Sequence, residues 1–180
     1  MSAVDAFSLF FGLLAVIAQV AVVGLAGLAL AARLTPGARP AYERVRAEIG
    51  PRAVGLAAAV AVVCLTGSLY YSEVAGFPPC RLCWYQRIAM YPLAVILPIA
   101  AWRGDAGVRW YGAPLAAAGG LIAVYHMLVE RFPNLEAGSC DPTNPCSIIW
   151  VEPLGYLTIP TMALSGFALI LVLLAYAEDA

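Results

Sequence analysis

A chain of 180 residues that is 63% hydrophobic and 12% charged, with a mean hydropathy of +0.85, has too little polar surface to cover a water-soluble domain. The composition points to one small membrane-embedded unit. A net charge of −1 gives no basis for expecting nucleic acid as a partner.

Five apolar stretches run along the chain, at 7–32, 53–72, 84–102, 110–129 and 157–176. Each is close to the roughly 20 helical residues that cross a bilayer. Lipid offers backbone polar groups no hydrogen-bond partner, so the stretches are predicted to be helices packed as a bundle. The first follows Asp5 rather than a basic segment, and its apolar run is long for the core of a secretory signal. It is expected to remain as a helix. Segment 33–52 carries five arginines and reads as a linker, with a short helix over 41–49. Its charge is an orientation signal and a solvated face, with anionic lipid contact as a lesser alternative.

The second stretch contains Cys64, read as a small apolar packing residue. Glu73 beyond it either pairs with an arginine or is an exposed loop charge. The motif Cys80-Arg81-Leu82-Cys83-Trp84-Tyr85-Gln86-Arg87 opens the third stretch. Two residues between cysteines allow a small disulfide ring. A helix beginning near Cys83 would set its partially positive end beside the sulfur, with Arg87 one turn on along the same face. Both favour thiolate, the species that exchanges disulfides. A structural disulfide and half of a zinc site are the competing readings.

Pro92 and Pro98 inside the third stretch are tolerable in a membrane bundle. Gly24 and Gly27 in the first stretch and Gly119 and Gly120 in the fourth permit close helix contacts. The sole histidine, His126, stands near the outer end of the fourth. Segment 130–156 is long and polar for a simple turn, and its Cys140 and Cys146 enclose two prolines and an asparagine that favour turns. Alone this pair reads as a structural disulfide. Beside the first pair it reads as a relay partner that could move towards an incoming protein. Segment 147–157 either lies in the membrane interface or starts the last span.

Arginine sets the orientation. Arg33, Arg39, Arg44, Arg46, Arg52, Arg103 and Arg109 fall on one side, and Arg81, Arg87 and Arg131 on the other. The first group is predicted to be cytoplasmic, with the C-terminal Glu178 and Asp179. The N-terminus and both cysteine pairs are then extracytoplasmic, where disulfides persist.

The residues Gly67-Ser68-Leu69-Tyr70-Tyr71-Ser72-Glu73, the run from Cys80 to Ile88, Met90-Tyr91-Pro92, the Cys140/Cys146 loop and Gly155 to Pro160 resemble the DsbB family of disulfide-forming membrane proteins, especially its BdbC-like branch. The likeness covers roughly residues 54–174. It implies an all-α membrane protein, a four-helix transmembrane bundle at 53–180 with an extracytoplasmic loop at 130–156. The chain departs from the family in residues 1–32, which are expected to form an additional N-terminal transmembrane helix, joined by a cytoplasmic arginine-rich linker at 33–52. The resemblance also implies a quinone cofactor (ubiquinone or menaquinone) and a DsbA-like thioredoxin-fold partner. Cys80 and Cys83 match the quinone-linked pair, with Cys83 nearest the quinone, and Arg87 matches an arginine beside it. Cys140 and Cys146 match the pair that meets the partner, with Cys140 forming the mixed disulfide. His126 stands where the family has a histidine near the quinone; the alternative is a helix-end histidine with an ordinary hydrogen bond. A vitamin K epoxide reductase-like protein would use similar parts, but its loop cysteines precede the CxxC, whereas here they follow it. Zinc bound by four cysteines finds no histidine neighbour in the sequence and no second CxxC.

Overall fold

The computed structural model describes residues 2–136, 138 and 140–178, so Asp179 lies outside the described residues. It contains six α-helices: α1 (Ala3–Leu34), α2 (Arg39–Ile49), α3 (Ala53–Leu69), α4 (Arg81–Arg103), α5 (Arg109–Arg131) and α6 (Ile159–Tyr176). Five helical segments are long and apolar enough to cross a membrane. The chain is a multi-pass membrane protein.

Local chemistry fixes the helix ends. Ser2 and Asp5 form a reciprocal capping box that starts α1. A π-helical turn at Tyr70–Val74 continues α3. Gly104, at φ 66°, ends α4 in the left-handed conformation that glycine adopts without strain. Pro92 and Pro98 lie inside α4, which remains one helix from Arg81 to Arg103.

Helices α3, α4, α5 and α6 pack in a ring, α3 on α4, α4 on α5, α5 on α6 and α6 on α3. Their core is built from small and medium side chains such as Ala57, Ala61, Leu93, Leu97, Ala116, Phe167 and Ile170. Phe167 lies over Gly119, where a Cβ would overlap its ring. Apolar stuffing gives no preference between helix and lipid, so close packing of this kind holds a membrane bundle together.

The first helix packs on the bundle, against α6. Its buried Ser8, Gly12, Ala15 and Ala18 lie along one stripe. Gln19 Nε2 donates to Ser165 Oγ at 3.0 Å, Tyr71 OH donates to Ser8 Oγ at 3.3 Å, and Tyr176 OH donates to the Leu25 carbonyl at 2.8 Å.

Two boundaries differ from expectation. The last helix begins at Ile159, so 147–157 is not its start. That segment has no regular structure before a 3-10 turn at Pro153–Gly155, where Leu154 and Gly155 both have positive φ (59° and 73°). The third spanning helix begins at Arg81 with Cys80 as its cap, not near Cys83.

Arg46 pairs with Glu178 at 2.7 Å, and Arg109 Nη1 donates to the Ala177 carbonyl at 3.1 Å. The arginine-rich linker, the α4–α5 turn and the chain's C-terminal end are thereby gathered at one end of the bundle. The cysteine pairs lie together at the other.

Candidate active site

Because Cys80 caps α4, its sulfur accepts the Cys83 N–H at 3.2 Å. This is the position where a helix presents unpaired N–H groups and partial positive charge. Cys83 Sγ stands 2.7 Å from Cys80 Sγ. The hydrogen bond from the Cys83 thiol holds the Cys80 thiol well below its ordinary range; burial opposes this, and His126 assists it. The helix N-terminus expected beside Cys83 stands at Cys80 instead.

Cys140 and Cys146 are joined in a disulfide. Asp141 accepts from the Thr143 N–H and hydroxyl at 2.8 and 2.7 Å, and Asn144 N–H closes on the Asp141 carbonyl at 3.0 Å. The intervening residues thus fold into a tight turn. Asn144 Nδ2 reaches across to the Pro79 carbonyl at 3.2 Å, and Glu136 accepts the Cys146 N–H at 2.7 Å. The pair is docked rather than extended towards solvent, with Cys140 6% and Cys146 1% exposed. Cys80, Leu82, Val129, Cys140 and Cys146 form one buried cluster.

His126 joins the two pairs. Its Nε2 lies 3.0 Å from the Cys146 carbonyl and 3.7 Å from Cys80 Sγ, while Nδ1 lies 2.9 Å from Gln86 Nε2. A carbonyl only accepts, so Nε2 carries the proton and Nδ1 accepts from the Gln86 amide. The sequence offered no histidine beside the cysteines, yet the fold brings His126 to Cys80 and Cys83 as a potential third metal donor.

On the far side of Cys83 lies a cavity of about 340 Å³. Its walls come from α1, α3, α4 and α6, with Phe77 and Trp150 at its mouth. Polar groups gather at one end: Cys83, Gln86, Arg87, Ser68 and Tyr91. Arg87 is buried, with Nε donating to Ser68 Oγ and Nη2 to the Ser68 carbonyl, both at 3.0 Å. Its guanidinium lies 5.1 Å from the Trp84 ring centroid. Tyr71, Phe77 and Trp150 stack in sequence, with centroids 6.0 and 5.0 Å apart. A largely apolar cavity with polar groups at one end suits a flat ligand with polar edges and an apolar body. A quinone fits that description.

Cys83 and Arg87 both line the cavity. His126 stands behind Gln86, on the Cys80 side. Gln86, Ser68, Asn144 and Trp150 received no site role from the sequence, although Gln86, one turn beyond Cys83, shares its helix face. Cys64 also lines the cavity and packs on Gly166. Glu73 is exposed and accepts from the Ser72 hydroxyl at 2.8 Å.

Residues 50–177 match the family model described as disulfide bond formation protein DsbB. The chain is 44% identical over 114 residues to disulfide bond formation protein C of Bacillus subtilis, covering 63% of this chain and 83% of that one. It is 45% identical over 130 residues to a probable disulfide formation protein of Deinococcus radiodurans, covering 67% and 85%. No solved structure matches it. The chain belongs to the DsbB family, in its BdbC-like branch, and is a thiol–disulfide oxidoreductase of that family.

Proposed function

We propose that this protein reoxidises an extracytoplasmic thioredoxin-fold partner and passes the electrons through its two cysteine pairs to a membrane quinone, ubiquinone or menaquinone. The observation that carries this reading is the order in space: the Cys140–Cys146 disulfide, then Cys80 linked to it through His126, then Cys83 facing the cavity.

A thiolate of the reduced partner attacks Cys140 Sγ, and the Cys140–Cys146 bond breaks with Cys146 as leaving thiolate. The partner's second thiol then displaces Cys140, leaving the partner oxidised and the loop pair reduced. With Cys80 and Cys83 joined, a loop thiolate attacks Cys80 and Cys83 leaves as thiolate. Completion of that exchange restores the loop disulfide and leaves Cys80 and Cys83 reduced. A quinone held in the cavity by Cys83, Gln86 and Arg87 would supply the two-electron, two-proton acceptor that lets the Cys80 and Cys83 thiols rejoin as a disulfide. Arg87, fixed by Ser68, would hold the polar edge of such a ring and favour negative charge there. Gln86 and His126 are positioning residues that hold Cys80 against the loop.

The arginine distribution supports a cytoplasmic arginine-rich end and extracytoplasmic cysteines. The chain order, CxxC before loop pair, favours this reading over a vitamin K epoxide reductase-like one.

Trapping tests the division of labour. Cys146→Ser, mixed with reduced partner, is expected to hold a mixed disulfide at Cys140 on a non-reducing gel, because the resolving thiol is gone. An adduct at Cys80 with none at Cys140 would reverse the roles of the pairs.

A further inference from the structure

The family match begins at residue 50, yet the cavity is not complete without what precedes it. Phe11, Leu14, Ala15, Ile17 and Ala18 of α1 form one of its walls. The polar groups stand at the end nearest the cysteines. On α3 the cavity then runs from Ser68 down to Ala59, nine residues or about 14 Å of helix. It ends among Ala59, Val60, Ile17, Ala18 and Leu169, which offer a ligand no polar side chain.

We infer that α1 is a specificity-determining wall, with Ala15 and Ala18 leaving room for the isoprenoid tail of the quinone. The inference rests on the function proposed above. A quinone ring satisfies the polar end; the apolar gallery beyond it fits only a hydrocarbon joined to that ring. Ala15 and Ala18 are 6% and 7% exposed, so a larger side chain at either position has nowhere to go but the gallery or its neighbours. Ile17 lines the same cavity and is nevertheless 64% exposed. It marks the lipid-facing edge, where a tail longer than the gallery would leave. The wall is pinned in register, since Gln19 bonds both Ser165 and Tyr156, each at 3.0 Å.

The test compares two quinones with the same ring, one tail-free and one carrying an isoprenoid tail, in the full-length protein with saturating reduced partner. Ala18→Leu is expected to raise KM for the tailed quinone roughly tenfold while changing kcat, and KM for the tail-free ring, by less than about twofold. Ala26→Phe, on an exposed face of α1 outside the cavity, is expected to change neither. An Ala18→Leu protein whose two KM values are unchanged, or rise together, overturns the inference. If that variant loses turnover with both quinones, Ile17→Ala decides by the same comparison. It removes part of the wall without overpacking, and is expected to raise KM selectively for the tailed quinone. Equal effects on the two quinones again overturn the inference. An unmodified protein that turns over neither quinone refutes the function itself; one that turns over both, with variants that do not discriminate, refutes only the wall.

Discussion

Arg87 is a buried cation whose guanidinium hydrogen-bonds Ser68 through side chain and backbone and lies over the Trp84 ring. Such a charge is expensive in a membrane unless it serves a polar ligand. Arg87→Ala is expected to raise KM for quinone roughly ten- to hundredfold, the range for losing charge-assisted hydrogen bonds, with partner–loop exchange unchanged. Arg87→Lys should recover part of this, since lysine keeps the charge without the planar fork. Unchanged quinone kinetics in a folded Arg87→Ala protein would remove the residue from the site. At Cys80 the lowered thiol range has a sign that can be checked. Thiolate persists as pH falls below the ordinary thiol value of about 8.5 and is lost only at lower pH. In the fully reduced protein, the alkylation rate at Cys80 should half-titrate below that value. His126→Ala should move the midpoint upward, by removing one of the groups that favour the thiolate. A midpoint that stays put would separate His126 from Cys80.

At the scale of elements, the docked loop matters most. Asn144 ties the loop disulfide to the Pro78 and Pro79 carbonyls just before Cys80, so Asn144→Ala loses a shared contact whose shorter arm is worth about 0.5–1.5 kcal/mol. Transfer from the loop pair to Cys80–Cys83 should slow by roughly two- to tenfold, measured by rapid mixing, with partner–loop exchange unaffected. An equal slowing of both steps would mean that Asn144 shapes the loop rather than docks it. Much of this architecture was legible beforehand. Apolar runs of spanning length revealed the helices, and the spacing of the CxxC motif put Cys83 and Arg87 one turn apart on one helix. The approach of His126 to Cys80 was not legible, because 46 residues separate them and only α4–α5 packing brings them together. Nor was the role of Trp150. An aromatic beside Ile148 and Ile149 reads equally as interface or helix, and only its stack on Phe77 places it at the cavity mouth.

For the whole molecule, the two ends of the bundle carry opposite assignments. Exposed positions decide the orientation better than Cys80, Cys140 and Cys146, which are buried. Asn134→Cys, beside the loop, is expected to react with a membrane-impermeant thiol reagent in spheroplasts, and Ala41→Cys in α2 only after lysis. The reverse pattern would invert the protein. Helix α1 was visible as a span, but its packing against α6 and its share of the cavity wall arise from contacts between residues far apart in the chain. The relay itself is tested most directly by quinone absorbance with purified protein and reduced thioredoxin-fold partner. The unmodified chain should reduce one quinone for each partner disulfide formed. Cys83→Ser should reduce none, while its loop disulfide still reacts with the partner. Quinone reduction by Cys83→Ser at the rate of the unmodified protein would contradict the account.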